Sequence, residues 1–201
     1  MSDIQKDLNL KRPGGVTFAA VMMIIFGVSG LGGALLNFLV IALTGSPAGI
    51  FKIMRAMYPP YMHEYLDSMM AAFQGNAAVM YLMYIFGLAA SVIGLIAGIS
   101  LMTSRKRGIL LSKVYLVGYT LTLILTSIWT FSLLGILADS TGYLFPSGSV
   151  SGRSIEAFSG IMRATYYVSG IIGIAISAGY VIAIFVVLNQ QKSRDYFALL
   201  P

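Results

Sequence analysis

Four long apolar windows constrain this chain more than any other feature: residues 16–44, 77–103, 109–137 and 166–188. Each exceeds the roughly 20 residues that a helix rising about 1.5 Å per residue needs to cross a hydrocarbon layer. None holds an Asp, Glu, Arg or His, and Lys113 is the single lysine. It sits one turn inside its window, from where a four-carbon stem can carry the ammonium to the interface. With 58% hydrophobic against 10% charged residues, the chain falls far outside soluble domains, in which about a quarter of residues carry charge. The expected fold is an all-α integral membrane protein, a single membrane domain built as a four-transmembrane-helix bundle. Loops at 45–76 and 138–165 and short terminal tails complete it.

Lys11 and Arg12 before the first window imitate a secretory signal, but a signal's apolar region is only about 7–15 residues long. The first window is therefore expected to be retained. Lys6, Lys11, Arg12, Arg105, Lys106, Arg107, Lys113, Lys192 and Arg194 flank the spans on one side. Lys52, Arg55, Arg153 and Arg163 lie on the other, although its loops are much longer. Basic residues are held on the cytoplasmic side, so both termini are expected there, with residues 45–76 and 138–165 outward. The net charge of +6 then reads as a topology signal. Arg105, Lys106, Arg107, Lys192 and Arg194 are placed to meet anionic lipid headgroups, at about 1 kcal/mol each, and a nucleic-acid partner is not expected. Absent cysteines and absent Asn-x-Ser/Thr sequons fit a prokaryotic inner membrane.

Each half of the chain reads basic segment, span, outward loop, span, basic segment. "YIFGLAAS" at 84–91 resembles "YVSGIIGI" at 167–174. This pattern suits two tandem helical hairpins, and chance likeness of apolar sequence accounts for it equally well.

Helices in lipid associate through small residues that let backbones approach. Ala90, Gly94 and Gly98 recur every fourth residue in the second span, and Ser29 and Gly33 in the first. In the fourth, Ser169, Gly173 and Ser177 form one stripe and Ala175, Gly179 and Ala183 another. Gly94, Gly98, Gly173, Ser177 and Gly179 are thus the candidate packing or partner contacts. The third span carries Thr122, Thr126 and Thr130 on one face. They are candidates for a polar lining or for holding a lipid, pigment or quinone, against the ordinary alternative that their hydroxyls bond back to carbonyls one turn earlier. No other cofactor is expected.

The first outward loop holds "MRAMYPPYMHEYLDSMM" at 54–70. Past Pro59 and Pro60, Met62, Leu66, Met69, Met70 and Phe73 recur at helical spacing opposite His63, Glu64 and Asp67. Ahead of them, Ile50, Met54 and Met57 oppose Lys52 and Arg55. Two amphipathic helices hinged at the prolines would lie at the interface or on another protein, with Met54, Met57, Tyr61, Met62, Leu66, Met69, Met70 and Phe73 as adaptable contact surface. A comparable stretch in the second outward loop runs through Ile155, Phe158, Ile161 and Met162 towards the fourth span. Thioethers also suit Cu(I), yet Met62, His63 and Asp67 are too few for a site and match no recognised metal spacing.

Catalysis is not expected. "GSVSG" at 148–152 has the GxSxG form but no preceding strand, and the sole histidine is His63 in the other loop. The spans lack the titratable groups that buried acid/base chemistry needs. Roles needing surface rather than chemistry remain. The leading expectation is a non-catalytic accessory or assembly subunit of a larger membrane complex, acting through contacts with lipids, other subunits or copies of itself. The apolar tail "YFALLP" after Arg194 is a further candidate contact. The alternatives are a small oligomeric transporter or channel lined by the third span, and outward-side Cu(I) handling by the Met/His cluster.

Overall fold

The computed structural model describes residues 12–140 and 152–199, all helix, turn and irregular chain. The order is α1 (Gly14–Thr44), α2 (Gly49–Met57), a 3-10 turn (Pro60–Met62), α3 (His63–Gly75), α4 (Ala77–Met102), α5 (Arg107–Ser140), α6 (Gly152–Asn189) and α7 (Gln191–Ala198). Four of these, α1, α4, α5 and α6, are long and apolar enough to cross a membrane. At about 1.5 Å per residue the 38 residues of α6 extend roughly 57 Å. That is well past the roughly 30 Å hydrocarbon layer, and the stretch through Ile155, Phe158, Ile161 and Met162, expected to lead towards the fourth span, is continuous with that helix. Residues 141–147 of the loop expected at 138–165, with the first residues of "GSVSG", lie outside the described residues.

The chain folds as two compact units. The first comprises residues 1–34, 85–122 and 177–201. Its core is Val16, Ala19, Ala20, Met23, Ala97, Leu101, Tyr115, Leu116, Tyr180, Ile184, Leu188, Tyr196 and Phe197. Small residues on α1 and α4 bring these helices together, and aromatic rings fill the space beside them. Phe26 stacks on Tyr180 with centroids 4.1 Å apart, and Tyr119 packs edge-on against both.

The turn from α4 to α5 is closed by paired hydrogen bonds, Arg105 N–H to Ser100 O and Ser104 N–H to Leu101 O. This is the helix-ending arrangement that puts one residue in the left-handed region, usually glycine. Here it is Ser104, at φ 53°. What the serine gains is its hydroxyl, which accepts from the Tyr196 hydroxyl at 2.5 Å and from Arg12 Nη2 at 3.1 Å. Arg12 Nη2 also donates to the Met102 carbonyl, placing a cation at the negative end of α4.

Gln190 breaks α6 with ψ 143°, and α7 turns back so that Ser193, Tyr196 and Phe197 are buried in the same core. The first two residues of the "YFALLP" tail are therefore taken up by the chain itself and are not open to another protein. Truncating a buried phenylalanine costs about 3–5 kcal/mol. Phe197→Ala should accordingly release α7 locally and raise amide exchange over 191–198 at least roughly tenfold. Exchange within α1 and α4 should stay unchanged, as read by hydrogen–deuterium exchange in detergent.

The second unit comprises residues 35–84 and 123–176. Thr44 ends α1 by donating its hydroxyl to Val40 O at 2.6 Å and to Ser46 O at 2.9 Å. Gly45 follows in the left-handed region at φ 77°. Tyr58 and Pro59, each preceding a proline, are both extended (ψ 153° and 154°), since the proline ring excludes the helical region for the residue before it. That separates α2 from α3. Leu66, Met69, Ala72, Met80 and Leu134 are buried. Phe73 packs between Phe51 (4.8 Å) and Trp129 (5.3 Å), and Ser68 and Ser140 share a 2.8 Å hydrogen bond. In this unit α3 therefore lies against the far end of α5.

Candidate functional site

The small residues singled out from spacing separate into two kinds. On α4 they are consumed by internal packing. A Cβ at Gly94 would stand 2.5 Å from the Tyr115 ring, and one at Gly98 2.7 Å from Ile24 Cγ1 and 2.8 Å from the Ala20 carbonyl. Gly27 on α1, which the spacing did not single out, is as tight, with a Cβ 2.9 Å from Leu95 N and 3.0 Å from Ser91 O. On α6 the opposite holds. Within the first unit, Gly179 meets nothing within 4 Å, Ala183 is exposed and Ser177 is half-buried. Within the second, Gly173 likewise meets nothing and Ser169 is exposed.

Of the threonines of the third span, Thr120 and Thr122 are committed locally. Thr122 Oγ1 donates to Gly118 O at 3.0 Å, and Thr120, Ser127 and Ser132 bond back one turn in the same way. The Thr122 methyl faces Gly87 within the first unit. In the second, the Thr130 methyl lies near Gly170 and Thr126 is half-buried. The Trp129 indole N–H is buried without an acceptor among the described residues.

Between the first two membrane-length helices, Leu66 and Met69 are 1% and 2% exposed and so belong to the chain's own core. Met57 is 78% exposed and Tyr61 51%, while Met54, Met62, Met70 and Phe73 are half-buried. The accessible contact surface is thus narrower than spacing implied and centres on the proline hinge. His63 Nε2 donates to the Tyr58 carbonyl at 3.1 Å, and Asp67 Oδ1 pairs with Arg55 Nε at 3.0 Å. Both groups are already engaged. Exposed as it is, this ion pair contributes at most about 1 kcal/mol. Among the described residues no three His, Asp or Glu side chains converge. Burial holds the Tyr65 hydroxyl above its ordinary pKa, and Tyr166 adds to the effect, so it stays protonated.

At the end of the first unit where α5 begins and α6 gives way to α7, Lys106, Lys113, Asn189 and Arg194 line a cleft of about 410 Å³ with Ile109, Leu188, Phe197 and Ala198. Lys106 and Arg194 were legible as headgroup contacts. Lys113 was legible as a basic residue of the same side and Asn189 was not singled out, and only the return of α7 brings these four together. The remaining topology residues Arg105, Arg107 and Lys192 are exposed.

Four apolar membrane-length helices define the chain as a helical membrane protein. It matches no protein-family model, and neither a curated protein nor a solved structure aligns with it.

Proposed function

We propose that the protein is a non-catalytic accessory or assembly subunit that works by contact within a membrane complex. The observation that carries this reading is the uncovered small-residue surface of α6, where Gly179 meets no atom within 4 Å. On α4, Gly94 and Gly98 at the same spacing are filled by a neighbouring side chain or helix, whereas Gly33 on α1 is open like Gly179. In lipid, small residues gain little from facing acyl chains and much from facing a closely approaching helix, so this face suits a helix from another subunit. The exposed Met57, Tyr58 and Tyr61 at the proline hinge offer a second contact outside the membrane. The excess of basic residues beside the termini and the α4–α5 turn supports cytoplasmic termini. On this reading the bundle sits in a prokaryotic inner membrane with α2 and α3 as interfacial amphipathic covers, and the halves read as tandem hairpins.

Native mass spectrometry of untagged protein, released from its own membrane in mild detergent, tests the proposal. A larger assembly of defined stoichiometry is expected. Gly179→Leu should dissolve that assembly and leave the isolated protein's thermal midpoint unchanged, because there is room for the side chain. A monomer, or an assembly indifferent to Gly179→Leu, would overturn it.

A further inference from the structure

We infer that the cleft between the start of α5 and α7 is a binding site for the phosphate headgroup of an anionic phospholipid. Lys106, Lys113 and Arg194 present three cations to one cleft, joined by the Asn189 carboxamide, and the wall beside them is Ile109, Leu188 and Phe197. Leu188 and Phe197 are buried and fixed by the core, so the apolar wall is rigid. The cations are exposed and, among the described residues, make no ion pair. Gathering three like charges without a counter-ion is costly, and an anion relieves it.

The occupant follows from where the cleft lies. Lys106 immediately precedes α5, and Asn189 is the last residue of α6. The cleft therefore stands where two membrane-length helices end, at headgroup depth. Arg and Lys supply donors suited to phosphate oxygens, the Asn189 carboxamide suits a glycerol hydroxyl, and the apolar wall suits the first methylenes of an acyl chain. A free phosphate would use the cations and leave the wall unused. Asp195 lines the neighbouring cleft beyond Arg194. It is not among the residues lining the cation cleft, so the ammonium of a zwitterionic headgroup would meet only positive charge there.

This inference rests on the membrane placement alone and not on the subunit reading, so the protein can fail as a subunit and still bind lipid. The full-length protein in neutral detergent is titrated separately with dioctanoyl phosphatidylglycerol, dioctanoyl phosphatidylcholine and inorganic phosphate, and bound mass is read by native mass spectrometry. Phosphatidylglycerol is expected to bind at least roughly tenfold tighter than either of the others. Lys113→Gln should weaken it about fivefold, and the triple change K106Q/K113Q/R194Q by on the order of a hundredfold. K106R/K113R should retain binding, and Lys52→Gln on α2 should leave it unaltered. Should the triple variant fail to fold, Lys113→Gln against Lys113→Arg decides. Equal affinity for phosphatidylcholine, equal affinity for phosphate alone, or indifference to Lys113→Gln would each overturn the site.

Discussion

Gly27→Leu is expected to leave no monodisperse protein after detergent extraction. The Cβ alone would stand 2.9 Å from Leu95 N, 3.0 Å from Ser91 O and 3.2 Å from Leu95 Cα. All three are backbone atoms of α4, so no rotamer change relieves the clash and the two helices must separate. Even Gly27→Ala should cost about 1–3 kcal/mol through overpacking, and leucine's further carbons raise that beyond the stability of a typical domain's weaker elements. Gly32→Leu is the matched comparison, since nothing lies within 4 Å of a Cβ there. It should alter extraction yield and thermal midpoint little. Size-exclusion profiles of the three variants check the point, and equal profiles for Gly27→Leu and Gly32→Leu would show that α1 and α4 do not meet at Gly27.

Tyr180→Phe is expected to destabilise the protein by about 1–2 kcal/mol, and the double change with Tyr115→Phe by less than the two singles together. The hydroxyls share a 2.8 Å hydrogen bond and both side chains are buried. Removing one strands the other, which costs about 1–3 kcal/mol in a water-excluded site. Hydrogen bonds between membrane helices have smaller net worth, averaging about 0.6 kcal/mol, which sets the estimate at the lower end. Removing both hydroxyls leaves an apolar pair of nearly the same shape, with the ring at position 180 still stacked on Phe26. The coupling is read from SDS-titration unfolding of the four members of the cycle. Additive losses would mean that the two hydroxyls do not depend on each other.

Between them these predictions mark out how much could be read in advance. The membrane helices were legible because a bilayer demands a long run of apolar side chains, and that demand is written residue by residue. The proline break between α2 and α3 was equally legible, since the ring restricts its neighbour locally. Spacing brought out Gly94 and Gly98 but could not tell them from Gly173 and Gly179. All four occupy the same i, i+4 pattern, and only a neighbour's position distinguishes a filled stripe from an uncovered one. Gly27 was passed over for the converse reason, having no partner at spacing four yet facing backbone across the helix contact. Spacing likewise grouped Leu66 and Met69 with the loop's contact surface, whereas packing against the chain's own core buried them.

The sequence by itself determined that this is a helical membrane protein with four membrane-length helices, basic flanks and a proline break between the first two, because solvent transfer and backbone sterics act within a few residues. Only the tertiary structure decided which small faces are spent, that Ser104 in a left-handed turn receives Arg12 and Tyr196, and that Lys106, Lys113, Asn189 and Arg194 share a cleft. The Ser104 contacts join residues 92 positions apart in the chain. They depend on how helices approach one another, and apolar surfaces in lipid specify that through shape, not through any local pattern.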